Sequence, residues 1–338
     1  MTTRFYNLWD KFISVENFEV ATDLAVHGKK DKTAVQSLLS KRAIKLEKLR
    51  QSLIDGTFTT SQYHAREIYR PKQRTIYVLP LYPDRIVQHA LINILGPIWQ
   101  RSFIYDSYAC LAGRGLHAAS RRVMRFIHRN QYVLHCDIRK FYPSINHQIL
   151  FNIISRKIRD NRILNLLRDI IFSIGGDTNV PIGNLTSQWF GNVYMNELDH
   201  WVYQTLHVRD YIRYCDDFLI FGNSKSELNE FANRIRIFLS EKLKLEFSKC
   251  VVYPTSRGID FIGYRHFRKY ILLRRRTAKR VRRRLEKIIR TGDTSPHAHG
   301  VVASAYGWAR WANTYNFRKK LFRGVPYNDK FKQIMHID

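Results

Sequence analysis

The sequence predicts an α+β fold, in which an antiparallel sheet is backed by helices and is followed by a basic helical module. Amphipathic helical stretches alternate with short apolar runs typical of buried strands. The composition changes after residue 264, where Lys and Arg become dense. The order helix, strand, helix, hairpin and helix is typical of an α+β domain.

The first part of the chain predicts helices around one hairpin. Apolar residues at helical spacing predict a helix over 38–54, with Gly56 as its end. A basic, β-branched stretch at 63–82 resembles a hairpin. Further helices are expected from Asp84 and over about 116–129.

The middle of the chain predicts strands that carry carboxylates. The apolar run 132–138 predicts a buried strand that ends in an acid, and Ser144 is expected to cap a helix through about 158. A long helix is expected from about 185 to 206. Residues 211–221 predict strand, tight turn and strand, with two adjacent Asp at the turn.

The last third combines a strand pair with basic helices. A helix is expected over 226–243 and a strand pair over 258–264. Residues 265–290 contain thirteen Lys or Arg and one acid. The apolar residues Ala278, Val281, Leu285 and Ile288 keep helical spacing, so one helix with an apolar stripe and a basic opposite face is predicted. A polar loop at 291–300 precedes an aromatic helix.

The charge balance indicates a polyanionic partner. Lys and Arg number 57 against 28 Asp and Glu, a net charge of +29. Nucleic acid is the first candidate for this partner and an anionic membrane surface is the second. No run reaches the ~18 to 20 apolar residues that a membrane span needs. The N-terminus lacks the apolar region of a signal peptide, so we expect a cytoplasmic protein without a membrane partner.

The cysteines argue against one kind of metal site and the aspartates argue for another. The four cysteines are scattered, without C-x-x-C spacing, which argues against zinc and disulfides. Asp137 follows a buried strand, and Asp216 and Asp217 form a pair at a hairpin tip. Each feature alone is ordinary strand-end or turn chemistry. Three carboxylates on neighbouring strand ends, however, form an all-oxygen site suited to Mg²⁺ and to two-metal phosphoryl transfer.

Four motifs in a fixed order resemble those of reverse transcriptases. HCDIRKFYPSI (135–145) and RYCDDFLIFG (213–222) are similar to the two catalytic motifs, PIGNLTSQWFGN (181–192) to the template-handling motif and FIGY (261–264) to the primer-grip hairpin. The resemblance implies a right-hand polymerase fold with fingers, palm and a small basic helical thumb. It further implies an N-terminal helical extension (1–60), interleaved fingers and palm (61–264) and a thumb (265–338).

The resemblance also implies roles for individual residues. Asp137, Asp216 and Asp217, with the carbonyl of Ile138, would hold two Mg²⁺ ions per active site, which Mn²⁺ can replace. The nucleotide site would comprise Arg74, Lys72, the backbone of Lys140 and Phe141, and Tyr142, Ile182 and Gln188. Template and primer would contact Gly183, Arg275, Arg276, Lys279, Arg280, Arg283 and Lys287. Core packing for Tyr142 and a solvated surface for Lys72 and the thumb cations are the competing interpretations.

Within the family, PIGNLTSQ (181–188) is similar to the motif of reverse transcriptases from bacterial or phage diversity-generating retroelements and from related group II-like enzymes. DRIVQHAL (84–91), SYAC (107–110) and SRGIDFIGY (256–264) look most like the retroelement enzymes. This implies copying of a template-repeat RNA into adenine-mutagenised DNA, because Ile182 replaces a polar residue of accurate relatives. It also implies an RNA–DNA duplex, dNTPs and a small basic oligomeric accessory protein as partners. A group II-like or defence-associated reverse transcriptase of ordinary fidelity, and an inactive RNA-binding scaffold, are the alternatives.

Overall fold

The structure is a computed structural model that describes residues 3–69, 73–322 and 325. Its N-terminal part consists of four helices. These are α1 (Trp9–Ile13), α2 (Val15–Val26), α3 (Thr33–Leu39) and α4 (Arg42–Ile54). The continuous helix predicted over 38–54 is wrong, because Lys41 has the non-helical angles φ −129° and ψ 32° and separates α3 from α4.

The predicted hairpin and the two helices after it are confirmed. Strands β1 (His64–Ile68) and β2 (Arg74–Val78) pair antiparallel. The segment Leu81–Arg85, in which Tyr82 is extended (φ −117°, ψ 131°), leads into α5 (Ile86–Gln100), whose buried face carries most of its apolar residues. The short strand β3 (Ser107–Tyr108) and α6 (Leu116–Arg129) follow.

The motif 135–145 begins on a strand with the predicted bounds, β4 (Tyr132–Ile138). Three helices follow it, and they are α7 (Phe141–Ser144), α8 (His147–Ser155) and α9 (Asn161–Phe172). Ser144 is not the predicted helix cap: Ile145 is extended, and the Asn146 side chain accepts the capping hydrogen bond from Ile149 N. The long helix α10 (Leu185–Gln204) is confirmed within two residues.

The central sheet has five strands. Its last three members along the chain are β5 (Tyr211–Tyr214), β6 (Asp217–Gly222) and β7 (Phe247–Pro254), and the order is β3-β5-β6-β4-β7. Helix α11 (Lys225–Phe238) and the π-helical Leu239–Leu243 lie between β6 and β7. The predicted antiparallel sheet has an exception at one edge, where β3 pairs parallel to β5 with Ser107 opposite Arg213.

The C-terminal part contains a three-stranded sheet and three helices. Strands β8 (Ile259–Phe261), β9 (Tyr264–His266) and β10 (Ile271–Leu273) pair antiparallel, and α12 (Arg275–Thr291), α13 (Pro296–Trp311) and α14 (Tyr315–Phe322) follow. The single helix predicted over 265–290 is therefore wrong before Arg275, because β9 and β10 use their backbone groups for pairing. The predicted loop 291–300 is shorter, since Ser295 caps α13.

Contacts divide the chain into two units. The first runs through Leu111 and adds His135–Phe218 and Glu230–Cys250. The second comprises Ala112–Leu134, Leu219–Asn229 and the described residues from Val251 onward. The second unit has its own core, in which Val281, Leu285 and Ile288 of α12 pack with apolar residues of α13. No described helix is long and apolar enough to cross a membrane.

Candidate active site

Asp137 lies near the end of β4, whose other residues are almost all buried. Its side chain is half-buried, and one carboxylate oxygen accepts a hydrogen bond from the hydroxyl of Ser248. Ser248 belongs to β7, the neighbour of β4 in the sheet. A carboxylate near the end of the apolar strand β4 is thus hydrogen-bonded to a residue of the neighbouring strand. The sequence motifs do not reveal Ser248 as this partner.

The other two carboxylates lie at the turn between β5 and β6. Tyr214 ends β5 and Asp217 begins β6, so Cys215 and Asp216 alone reverse the chain. Cys215 has φ +57°, in the left-handed region that tight reversals use. The predicted strand, turn and strand is confirmed, with Asp216 in the turn and Asp217 on the strand.

The three carboxylates interact electrostatically. Burial is the main cause that raises the pKa of Asp216 to about 6, the negative charges of Asp137 and Asp217 raise it further, and Arg74 opposes the rise. Mutual repulsion of this kind is relieved by a bound divalent cation. All three carboxylates line one cavity of about 880 Å³.

The Asp217 carboxylate contacts His135, which in turn contacts Lys249. His135 Nε2 lies 2.8 Å from Asp217 Oδ1, and Lys249 Nζ lies 3.0 Å from His135 Nδ1. Because an ammonium group can only donate, His135 accepts at Nδ1 and its Nε2–H donates to Asp217. His135 and Asp137 are two residues apart on one strand, so their side chains point to the same face. That spacing, in HCD, is the sequence signal for His135.

The donor chemistry of this site fits Mg²⁺, which prefers carboxylate and carbonyl oxygens. Among the described residues, however, no three His, Cys, Asp or Glu side chains already converge in a geometry that could hold a metal ion. Asp137 and Asp217 each use one oxygen in a hydrogen bond to Ser248 or His135. A cation would therefore bind carboxylates that already line one cavity but do not yet converge on a single point.

Most residues predicted to bind the nucleotide line the same cavity. The lining includes Arg74, Lys140, Phe141, Tyr142 and Ile182, and also Ile138 of the predicted metal site. Gly183 and Gln188 are not among its described lining residues, and Lys72 lies outside the described part of the chain. Phe141 is buried although it lines the cavity.

Tyr142 combines a packed ring with access to the cavity. Its ring is 5.2 Å from that of Phe141, and a Cβ on Gly191 would lie 3.2 Å from it. Burial raises the pKa of Tyr142, so the side chain remains a neutral phenol. The ring is thus half-buried and held by neighbours, as both the sugar-selecting and the core-packing interpretations require.

Gly183 explains how the template-handling motif meets the hairpin. It has φ +124°, and a Cβ there would lie 2.7 Å from the carbonyl oxygen of Tyr77 on β2. The adjacent Ile182 accepts a hydrogen bond of 2.8 Å from Tyr77 N. Only glycine fits this close approach, which brings Ile182 beside the strand that begins with Arg74.

The predicted thumb cations all lie on α12 and are exposed. Val281, Leu285 and Ile288 form the opposite, buried side of the helix. The apolar stripe and basic opposite face predicted from the sequence are therefore confirmed for Arg275–Thr291. Whether this surface contacts nucleic acid stays a prediction.

Known proteins show the same fold and family. Protein YkfC of Escherichia coli K12 is 27% identical over 289 residues, which cover 71% of this chain and 74% of YkfC. The group II intron-encoded protein LtrA of Lactococcus lactis is 24% identical over 65% of this chain, which spans about half (49%) of LtrA. The retron Ec73 reverse transcriptase of Escherichia coli is 27% identical over 52% of this chain and 61% of its own length.

Apo telomerase from Candida tropicalis shares the fold, with a TM-score of 0.50 and 10% identity over 82% of this chain and 62% of the telomerase. The predicted polymerase fold with a palm-type sheet is thereby confirmed. Residues 67–266, more than half of the chain, match the family described as reverse transcriptase (RNA-dependent DNA polymerase). This chain therefore belongs to the reverse transcriptase family.

Proposed function

We propose that this chain extends a DNA primer on template RNA by two-metal nucleotidyl transfer, with dNTPs as substrates. The observation that carries the proposal is the electrostatic coupling of Asp137, Asp216 and Asp217 at one cavity that Arg74 also lines. Three carboxylates at one cavity of a chain of net charge +29 are the arrangement that nucleotidyl transfer needs, because nucleic acid binds the basic surface and the acids hold cations.

In this proposal Asp137 and Asp216 would hold both Mg²⁺ ions, Asp217 would be the weaker ligand and the Ile138 carbonyl would complete one site. When bound, Mg²⁺ or Mn²⁺ lowers the pKa of the primer 3′-hydroxyl and stabilises the leaving pyrophosphate. His135 orients Asp217, and Ser248 orients Asp137. The carboxylates therefore enter the reaction already restrained by hydrogen bonds.

The nucleotide would lie between the hairpin and the first catalytic motif. The Arg74 guanidinium, planar and permanently charged, suits contact with both phosphate and base. The backbone N–H groups of Lys140 and Phe141 would face the triphosphate, with Lys72 as a further phosphate contact. Tyr142 would fill the space of a ribose 2′-hydroxyl, and Gln188 would frame the templating base.

The domain boundaries implied by the motifs belong to the same proposal. Residues 1–60 form the N-terminal extension, 61–264 the fingers and palm, and 265–338 the thumb. The exposed cations of α12 would follow the phosphates of an RNA–DNA duplex, which proteins hold by shape and backbone rather than by sequence.

Primer extension tests the activity. Asp216→Asn keeps the size of the side chain but removes its charge, so extension in Mg²⁺ should be lost while template–primer binding remains. Extension by the Asp216→Asn protein at the wild-type rate would refute the catalytic assignment. Binding without extension by the wild type would favour the RNA-binding scaffold.

At a finer level, we propose a diversity-generating retroelement enzyme that copies a template-repeat RNA with errors at adenine. The support is the motif 181–188, with Ile182 held beside β2. An aliphatic side chain offers only shape and dispersion to the incoming nucleotide, so discrimination between correct and incorrect pairs falls. The proposed partner is a small basic oligomeric accessory protein.

The second candidate is a group II-like reverse transcriptase of ordinary fidelity, which the similarity to LtrA supports. Sequencing of cDNA made from a defined RNA distinguishes the two. The retroelement proposal expects errors concentrated opposite template adenine and fewer of them in Ile182→Gln. Rare errors, or errors spread evenly over the four template bases, would favour the group II-like enzyme.

A further inference from the structure

Arg213 is a fully buried arginine whose whole guanidinium is hydrogen-bonded. It lies on β5, directly before the turn that carries Asp216, and its exposed fraction is 0%. An arginine side chain has five N–H donors, and each of them has an acceptor here. The acceptors are Asp199 Oδ1 (2.7 Å), Asp199 Oδ2 (2.5 Å), Asn192 Oδ1 (3.1 Å), Ser107 Oγ (2.8 Å) and the Cys215 carbonyl (2.9 Å).

The ion pair with Asp199 accounts for only part of this arrangement. Asp199 is also fully buried and accepts a further hydrogen bond of 2.7 Å from Tyr211. Burial by itself would lower the pKa of Arg213, but Asp199 holds it above its usual value. A buried ion pair is weak evidence for a role in stability, because apolar replacements of similar volume are often as stable. The contacts beyond Asp199 therefore indicate a second role.

The contact that bears on chemistry is the one to the Cys215 carbonyl. This carbonyl belongs to the peptide that joins Cys215 to Asp216, so its direction sets where the Asp216 backbone begins. Cys215 has φ +57°, an unfavourable conformation for a residue with a side chain. Such conformations persist where surrounding contacts over-determine them. Arg213 supplies a contact of this kind from inside the protein.

The guanidinium is itself held from two other elements. Asn192 and Asp199 lie on α10, and Ser107 lies on β3 at the position opposite Arg213 in the parallel pair. The turn is thus tied through one planar group to a helix and to the neighbouring strand. Lysine could keep the charge but could not span these acceptors, because its three donors radiate from a single nitrogen.

We propose that Arg213 is a positioning residue for catalysis, which fixes the Cys215–Asp216 peptide and thereby the place of the Asp216 carboxylate. The proposal rests on the function proposed above for Asp216. It adds that the rate of nucleotide addition depends on a side chain that touches neither the substrate nor the cavity.

The test compares Arg213→Lys with Tyr211→Phe. Both changes remove hydrogen bonds to the buried Asp199 carboxylate. Only Arg213→Lys also removes the hydrogen bond to the Cys215 carbonyl. For Arg213→Lys we expect kcat to fall roughly 10- to 100-fold, as small displacements of reacting groups do, with the dNTP KM and template–primer binding unchanged. Tyr211→Phe should lower the melting temperature without lowering kcat.

Ser107→Ala supplies a second variant in case Arg213→Lys does not fold. It removes one acceptor of the guanidinium and keeps the charge pair, so kcat should fall less but in the same direction. Equal kcat in Ser107→Ala and Tyr211→Phe, or an undiminished kcat in Arg213→Lys, would overturn the inference. Asp216→Asn is measured in parallel: if it stays active, the proposed function fails, and if it is inactive, any failure belongs to Arg213 alone.

Discussion

The carboxylates of the cavity and the cations of α12 are held in opposite ways. At the cavity, the carboxylates are half-buried, and Asp137 and Asp217 are fixed by hydrogen bonds to Ser248 and His135. On α12, the predicted thumb cations are all exposed to solvent. Cation chemistry needs carboxylate oxygens within fractions of an ångström, whereas attraction to a phosphate backbone needs charge density but no fixed side-chain position.

The unit that contains α12 has a chain of directed hydrogen bonds in its interior, around His266 and Ser120. Ile259 O can only accept, so His266 donates from Nδ1 (3.3 Å) and accepts at Nε2 from the Ser120 hydroxyl (2.8 Å). Trp311 Nε1 in turn donates to Ser120 Oγ (2.9 Å). This directional series joins α6, β9 and α13 and leaves the basic face of α12 outside it.

The largest effect should come from the cavity. Asp137→Ala should lower single-nucleotide addition by roughly a thousandfold, because several kcal/mol of metal-dependent transition-state stabilisation is lost. Binding of RNA measured by filter retention should change little. Ser248→Ala, which keeps the carboxylate but removes its partner, is the matched control and should be affected far less. Comparable losses in both variants would mean that the strand end, and not the charge, is responsible.

The second effect is the response of stability to acid. Burial lowers the pKa of His266 to about 4 from a model-peptide value of 6.5. Because the folded state resists protonation, the contribution of His266 to stability is complete above pH 6.5 and is lost as the pH falls towards 4. The lost stability is roughly 3 kcal/mol. Urea unfolding across this range measures it, and His266→Gln, which cannot titrate, should flatten the slope. An identical slope in both proteins would assign the acid sensitivity elsewhere.

The third effect concerns the basic face of α12. Neutralising Arg280, Arg283 and Lys287 should weaken template–primer binding and flatten its salt dependence, by roughly 0.7 to 0.9 in the log–log slope for each lost phosphate contact. Nucleotide addition at saturating template–primer should be retained. The matched control neutralises three exposed lysines of the other unit: Lys32, Lys41 and Lys48. An unchanged slope in the α12 variant would show that this face does not meet nucleic acid.

The smallest effect is on sugar selection. Tyr142→Val should improve the use of ribonucleotides relative to deoxynucleotides by about tenfold, equivalent to about 1.4 kcal/mol, because the ring is proposed to occupy the position of the 2′-hydroxyl. Tyr142→Phe keeps the ring and should keep the discrimination. Comparing dGTP and rGTP incorporation is sufficient. Equal discrimination in all three proteins would identify Tyr142 as a packing residue.

Short patterns in the sequence were enough to predict several strands and the positions of the three aspartates. The run 132–138 and the stretch 211–221 are apolar, short and adjacent to Asp, so strand, turn and carboxylate position follow from neighbours along the chain. Residues 265–274 were misjudged because the apolar positions at helical spacing lie only at 278–288, whereas β9 and β10 pair with each other within 264–273. Lys41 and Ser144 were misjudged at helix ends, where one backbone angle decides the boundary.

The sequence by itself determined the family, the acidic motifs and the basic helix, since each depends on residue type and spacing within a short segment. Only the tertiary structure decided what holds the acids. His135 meets Asp217 from 82 positions away, Ser248 meets Asp137 from 111, and Arg213 meets Ser107 from 106. Such partners come together through sheet order and helix packing, and hydrogen bonds over these separations leave no periodic trace in the chain.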